Sequence, residues 1–228
     1  MDLIFVHGAL VRDGAWWWQR TAELLEISSH SLELPSCSSG GGLVEDAAAL
    51  RAALDQVESA IVVGHSYGGT VIAEAGSHPA VSHLVLISSY LPLVGQTHAE
   101  ITASDDPPSI AMDGDRLRLD GYDFDSFAAR FLQDAPDAVA GAMERLAPQS
   151  AAAFMTPTTQ AGWQGVDSTY LVCTDDRSTT VALQREHAAK ATRSVDLPTG
   201  HHPFISRPDL VASAVSRIAR LGAGEALD

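Results

Sequence analysis

The sequence predicts an α/β fold: a mostly parallel central sheet of about six strands with helices on both faces, interrupted once by a small, mainly helical insertion. Three observations carry this reading. Short apolar runs alternate with segments of helical periodicity, the pattern of parallel strands joined by helical crossovers. The strand runs are apolar throughout rather than every second residue, as expected of a sheet covered on both faces. The alternation lapses between Leu91 and Trp163 and then resumes.

Leu3–Val6 reads as the first buried strand, closed by Gly8, and Asp13 is placed to cap a helix over Ala15–Glu26. Ser31–Leu34, stopped by Pro35, is the second strand, and the run from Ser36 to Gly42 (SCSSGGG) is loop by composition. Ala47, Leu50, Leu54 and Val57 recur at helical spacing, so Glu45–Val57 is an amphipathic helix. Strand Ile61–Val63, helix Gly68–Ala75 and strand Leu84–Ile87 follow. After the lapse come strand Tyr170–Cys173, helix Val181–Ala189, strand Val195–Leu197 and a last helix Pro208–Leu221. Residues 1–90 and 164–228 thus form the expected core and 91–163 a cap. The polar tail GEALD is expected to fray.

At 228 residues, 46% of them hydrophobic, the chain can bury one good core. Its 14 basic and 29 acidic residues give a formal charge of -15, which repels polyanions and anionic lipid, so neither nucleic acid nor a membrane is an expected partner. Two cysteines, Cys37 and Cys173, make no disulfide framework and suit the reducing cytoplasm. MDLIFVHG has no basic, apolar leader pattern and reads as strand, not signal peptide.

Gly64-His65-Ser66-Tyr67-Gly68 matches G-x-S-x-G. An apolar strand leads into it and a helix leads out, the context in which a serine is presented on a strained turn. Gly64 and Gly68 clear space around that turn, and Gly69 lets the helix pack close. A serine hydroxyl needs a general base, itself oriented by an acid, and in this arrangement the chain order is Ser, acid, His. Asp175-Asp176 follow the strand Tyr170–Cys173, and His201-His202 follow Val195–Leu197; these residues alone leave open which of each pair acts. The preceding strand ends Ser88-Ser89-Tyr90, without a carboxylate. The oxyanion needs two donors: the backbone N–H of Tyr67, and one from the loop His7–Leu10, for which Ala9 is the candidate, with His7 bracing the loop. Trp16–Trp18 is read as a helix burying two of three indoles against the sheet. The nine histidines form no H-E-x-x-H or similar ligand set, so no metal is expected.

FVHGA…GAWWW, VVGHSYGG, YLVCTDDR and GHHPFISRP together resemble the plant methylesterase and hydroxynitrile lyase branch of the α/β-hydrolases and its bacterial esterase-like relatives. The resemblance spans nearly the whole chain. It implies Ser66, Asp176 and His201 as triad, the N–H groups of Ala9 and Tyr67 as oxyanion hole, and a pocket between sheet and cap, with Gly8, Leu10 and His202 on the substrate side. It also implies no cofactor, a small, largely apolar ester or lactone as substrate, and admits a homodimer. Lyase members of the branch carry a threonine in the oxyanion loop and a lysine after the catalytic histidine. Gly8 and His202 stand in those places here, which favours ester hydrolysis over cyanohydrin cleavage; a lyase or cofactor-free biosynthetic enzyme using the same triad is the alternative among enzymes. A hydrolase-like ligand receptor is the alternative outside enzymes; an intact Ser66, Asp176 and His201 speaks against it.

Overall fold

The computed structural model describes residues 1–103 and 106–222; the GEALD tail lies outside them. Six parallel strands form the central sheet: β1 (Asp2–Val6), β2 (Ser29–Ser31), β3 (Ala60–His65), β4 (Val81–Ile87), β8 (Ser168–Cys173) and β9 (Arg193–Leu197), in the order β2-β1-β3-β4-β8-β9. The core helices are α1 (Gly14–Ala22), α2 (Leu43–Leu54), α3 (Gly68–Ala75), α8 (Val181–Ala188), α9 (Pro203–Ser206) and α10 (Pro208–Gly222).

The central strands are apolar on both sides because successive side chains serve two cores. Ile4, Val62, Leu84, Leu86 and Val172 face the side covered by Leu43 and Leu50 of α2 and Val71 of α3. Leu3, Phe5, Ile61, Val63, Val85 and Leu171 face the side covered by Trp17 and Trp18 of α1 and Val211 and Val215 of α10. Burying one such aliphatic side chain is worth about 1.5–3 kcal/mol, against about 0–1 kcal/mol for an exposed ion pair; these two cores, rather than surface pairs such as Arg118–Asp120, hold the sheet together.

Asp13 caps α1 by accepting from Trp16 N, and that helix buries Trp17 and Trp18 while Trp16 stays half-buried. It stops at Ala22, earlier than its periodicity suggests. The second strand is Ser29–Ser31, not Ser31–Leu34: Leu3, Ile4 and Phe5 pair with Ser29, His30 and Ser31. This edge strand is polar and half-exposed, so no apolar run marks it.

Between β4 and β8 the chain leaves the sheet. Helices α4 (His98–Ala103), α5 (Phe124–Phe131), α6 (Val139–Met143) and α7 (Ala152–Met155) form a helix-rich cap. It also holds a small antiparallel sheet absent from the sequence reading, β5 (Ile110–Asp113), β6 (Arg116–Leu119) and β7 (Gln149–Ser150). The cap is stitched to the core beside β1: Arg12 N donates to Arg145 O and Ala147 N to Leu10 O, each at 2.9 Å. Among the described residues, no helix is long and apolar enough to cross a membrane.

Candidate active site

Four non-glycine residues among those described have left-handed backbone, and three meet at the carboxyl ends of the strands: Leu10 (φ 60°), Ser66 (φ 51°) and Ser88 (φ 43°). Such conformations cost about 1–3 kcal/mol each and persist only where surroundings enforce them. Ser66 is enforced by its glycines. A Cβ on Gly68 would lie 2.6 Å from Val6 O, and one on Gly69 2.2 Å from Tyr90 O, so only glycine lets the turn and α3 sit this close to the neighbouring strands.

His201 stands on the loop after β9. Its Nδ1 lies 2.8 Å from Asp176 Oδ2, and the Asp176 side chain is fully buried. A carboxylate only accepts, so Nδ1 carries the proton and Nε2 is left as the basic nitrogen. Asp176 is satisfied all round: Oδ1 accepts from Ser178 N (2.7 Å) and Thr179 N (3.0 Å), and Oδ2 also accepts from Ser88 Oγ (2.6 Å) and Gln184 Nε2 (3.1 Å). Burial pushes this carboxyl up, but His201 and these hydrogen bonds outweigh it and hold it below its ordinary value. Asp175, the adjacent candidate, is exposed.

His65 and His202 are buried beside His201. His65 Nε2 donates to the His201 backbone carbonyl at 2.9 Å, and His202 Nδ1 to Phe131 O at 3.0 Å. The motif residue before Ser66 thus braces the loop that carries His201, and His202 stacks on Trp17. Burial, then the neighbouring imidazoles, pushes His65 well down; the same causes push His202 to about 3. Both are neutral at ordinary pH. Nitrogens of His65, His201 and His202 lie within 4.8 Å of one another. The fold thus brings together three imidazoles that the sequence reading did not join into a ligand set.

In the loop after β1, His7 Nδ1 donates to Gly8 O at 2.8 Å and its Nε2 accepts from Leu34 N at 3.2 Å, so His7 braces that loop. Leu10 N is occupied by Gln149 Oε1 at 2.9 Å. Among the described residues, the N–H groups of Ala9 and Tyr67 meet no protein acceptor.

Gly8, Ala9, Leu10, Ser66, His201 and His202 line one cavity between sheet and cap, closed on the cap side by His98, Phe127, Phe131 and Phe154. Trp17 joins the lining too, so one buried indole of the triplet is also a pocket wall. None of the lining residues described is Asp, Glu, Lys or Arg. The free volume is about 90 Å³; a water needs about 10–15 Å³ on that measure, so the space suits a small molecule.

A model of the alpha/beta hydrolase family matches residues 3–214. The chain belongs to this family. It is 28% identical to the alpha/beta hydrolase nvfD of Aspergillus novofumigatus, over 90% of this chain and 88% of that one. It is 26% identical to the pyrethroid hydrolase of Sphingobium wenxiniae, over 96% and 87%. A solved pyrethroid hydrolase structure superposes with a TM-score of 0.84 at 25% identity, covering 98% of this chain and 99% of that one. A methylesterase of Arabidopsis shares the fold, with a TM-score of 0.76 at 18% identity over 97% and 99%.

The sequence reading did not single out Ser88, Gln184, His98 or Asp46. Ser88 had a signal, since it stands where a carboxylate was sought and not found.

Proposed function

We propose that this alpha/beta hydrolase cleaves small, uncharged carboxylic esters or lactones through a Ser66–His201–Asp176 triad. The observation that carries the reading is the 2.8 Å pairing of His201 Nδ1 with the buried Asp176, beside a serine on a strained turn opening into the same cavity. His201 Nε2 takes the Ser66 proton as Oγ attacks the carbonyl, and Asp176 stabilises the imidazolium. The Ala9 and Tyr67 N–H groups receive the oxyanion. His201 returns the proton to the leaving alkoxide, and water, deprotonated by His201, releases the acid.

The lining supports an uncharged substrate: its described residues include no Asp, Glu, Lys or Arg, and His7, His65, His98 and His202 are all pushed down by burial, so no fixed positive charge stands there for a carboxylate or phosphate. The pyrethroid hydrolase relatives support hydrolysis, and the absence of lysine from the described lining weighs against lyase chemistry. The two buried free cysteines fit a cytoplasmic location.

Labelling with a fluorophosphonate and, on separate unlabelled protein, turnover of p-nitrophenyl acetate in 18O water test the reading. Labelling confined to Ser66 and 18O in the product acid are expected. Labelling that survives Ser66→Ala, or product acid without solvent oxygen, overturns it.

A further inference from the structure

Asp46, on α2, is a carboxyl with no exposed surface and, among the described residues, no ion-pair partner. Burying such a group is costly unless hydrogen bonds compensate it, and here they come from places far apart in the chain. Oδ1 accepts from Ser36 N at 2.9 Å; Oδ2 accepts from Ser36 Oγ at 2.6 Å and from Tyr67 OH at 2.8 Å. Ser36 Oγ in turn accepts from Gln149 Nε2 at 2.9 Å, and Gln149 Oε1 accepts from Leu10 N at 2.9 Å. Ser36, Gln149 and Tyr67 are also fully buried.

The chain has one direction only. Ser36 spends its single proton on Asp46, so it can only accept from Gln149, which must present its NH2 to Ser36 and its carbonyl to Leu10. A flipped amide would set donor against donor at Leu10. One end of the network is therefore Leu10, left-handed at φ 60° and adjacent to Ala9. The other is Tyr67, adjacent to Ser66. Gln149 belongs to the cap sheet, and the cap also takes the Leu10 carbonyl through Ala147 N. Tyr67 in addition stacks parallel to Phe154 of α7 at 5.8 Å.

We propose that Asp46, Ser36 and Gln149 are positioning residues that set both halves of the oxyanion hole, the Tyr67 N–H and the Ala9–Leu10 loop, and tie their geometry to the seated cap. A network serving only stability has no reason to end on one oxyanion donor residue, Tyr67, and on Leu10, the neighbour of the other. The proposal rests on the reading of Ser66 as nucleophile. Backbone donors act through distance and angle, and displacement by about 1 Å can cost about a hundredfold. Loss of the network thus acts on the transition state more than on substrate affinity.

The test compares Gln149→Leu and Tyr67→Phe with the unmodified chain. The second deletes one hydroxyl and keeps the backbone N–H; Ser36→Ala is read in the same way should Gln149→Leu not fold. Kinetics on p-nitrophenyl acetate are paired with inhibition by an aryl trifluoromethyl ketone. This probe adds to Ser66 Oγ, the serine proton passing to His201, and places its alkoxide in the oxyanion hole. Expected are a fall in kcat of about tenfold or more, KM within about threefold, and ketone affinity weakened in step with kcat/KM. Folded variants with kcat and ketone affinity within about twofold of the unmodified chain overturn the proposal, as does a rise in KM alone. Failure of the unmodified chain to react with a fluorophosphonate removes the functional reading, and this proposal with it; normal reaction with unaffected variants removes this proposal only.

Discussion

Ser88 Oγ donates to Asp176 Oδ2 at 2.6 Å, on the same oxygen that faces His201 Nδ1 at 2.8 Å, and itself lies 3.3 Å from that nitrogen. Ser88 thus restrains the acid and helps to hold it ionised. Ser88→Ala is expected to lower kcat/KM by about tenfold, the scale of one lost charge-assisted hydrogen bond. Without this donor the Asp176 carboxyl loses one of the hydrogen bonds that hold it below its ordinary value, so the acidic limb of the pH–rate profile should move to higher pH. A profile that falls in height without moving would leave Ser88 a packing role only.

Asp176 and Asp175 are adjacent and oppositely placed, one buried against His201 and the other exposed. Asp176→Asn is expected to cost about ten-thousandfold in kcat, by analogy with loss of the triad acid elsewhere. Asp175→Asn should stay within about twofold. Steady-state kinetics on p-nitrophenyl acetate decide it, and the reverse ranking would move the acid to Asp175.

Gly69 meets Tyr90 O on the side where a side chain would begin, at 2.2 Å. The obstacle is backbone and cannot rotate away. Gly69→Ala should destabilise the fold by about 3 kcal/mol, the upper range for overpacking, read as a lower urea midpoint with unchanged slope. A midpoint equal to the parent's would mean that α3 moves freely against β4.

Burial pushes His98 and His202 to about 3 and His187 to about 4. In the unfolded chain each returns to about 6.5. As pH falls below that value the unfolded state takes up protons that the folded state refuses, so stability is full above about pH 6.5 and declines toward pH 3. At pH 5 each group accounts for about 2 kcal/mol. His98→Gln should therefore narrow the stability difference between pH 7.5 and pH 5 by about that amount in urea titrations. An unchanged difference would show that His98 is protonated within the fold.

Residues whose partners are close in sequence, or whose burial follows a simple period, were legible from the sequence. Helix α3 was read at its observed bounds because Gly68 and Gly69 open it and apolar residues fill it. The edge strand Ser29–Ser31 was shifted because its stability comes from pairing with β1, not from its own polar side chains. The hairpin β5–β6 carried a signal that went unused, Asp113-Gly114 at a turn with Gly114 at φ 61°. At the site, Ser66 and the pairs around Asp176 and His201 stood in recognisable motifs. Asp46 did not: one acid in an amphipathic helix looks solvated until the fold brings Ser36, ten residues away, and Tyr67, twenty-one away, onto it.

The left-handed backbone at Leu10, Ser66 and Ser88 has an evolutionary consequence. At about 1–3 kcal/mol each, the three together rival the net stability of a whole domain, about 5–15 kcal/mol. Selection for thermal endurance alone would drift toward glycine or asparagine at positions 10 and 88, where either relaxes the backbone. Selection for turnover would keep the leucine and the serine. A descendant released from catalysis should therefore betray itself first at these two positions, while the apolar sheet behind them is still intact.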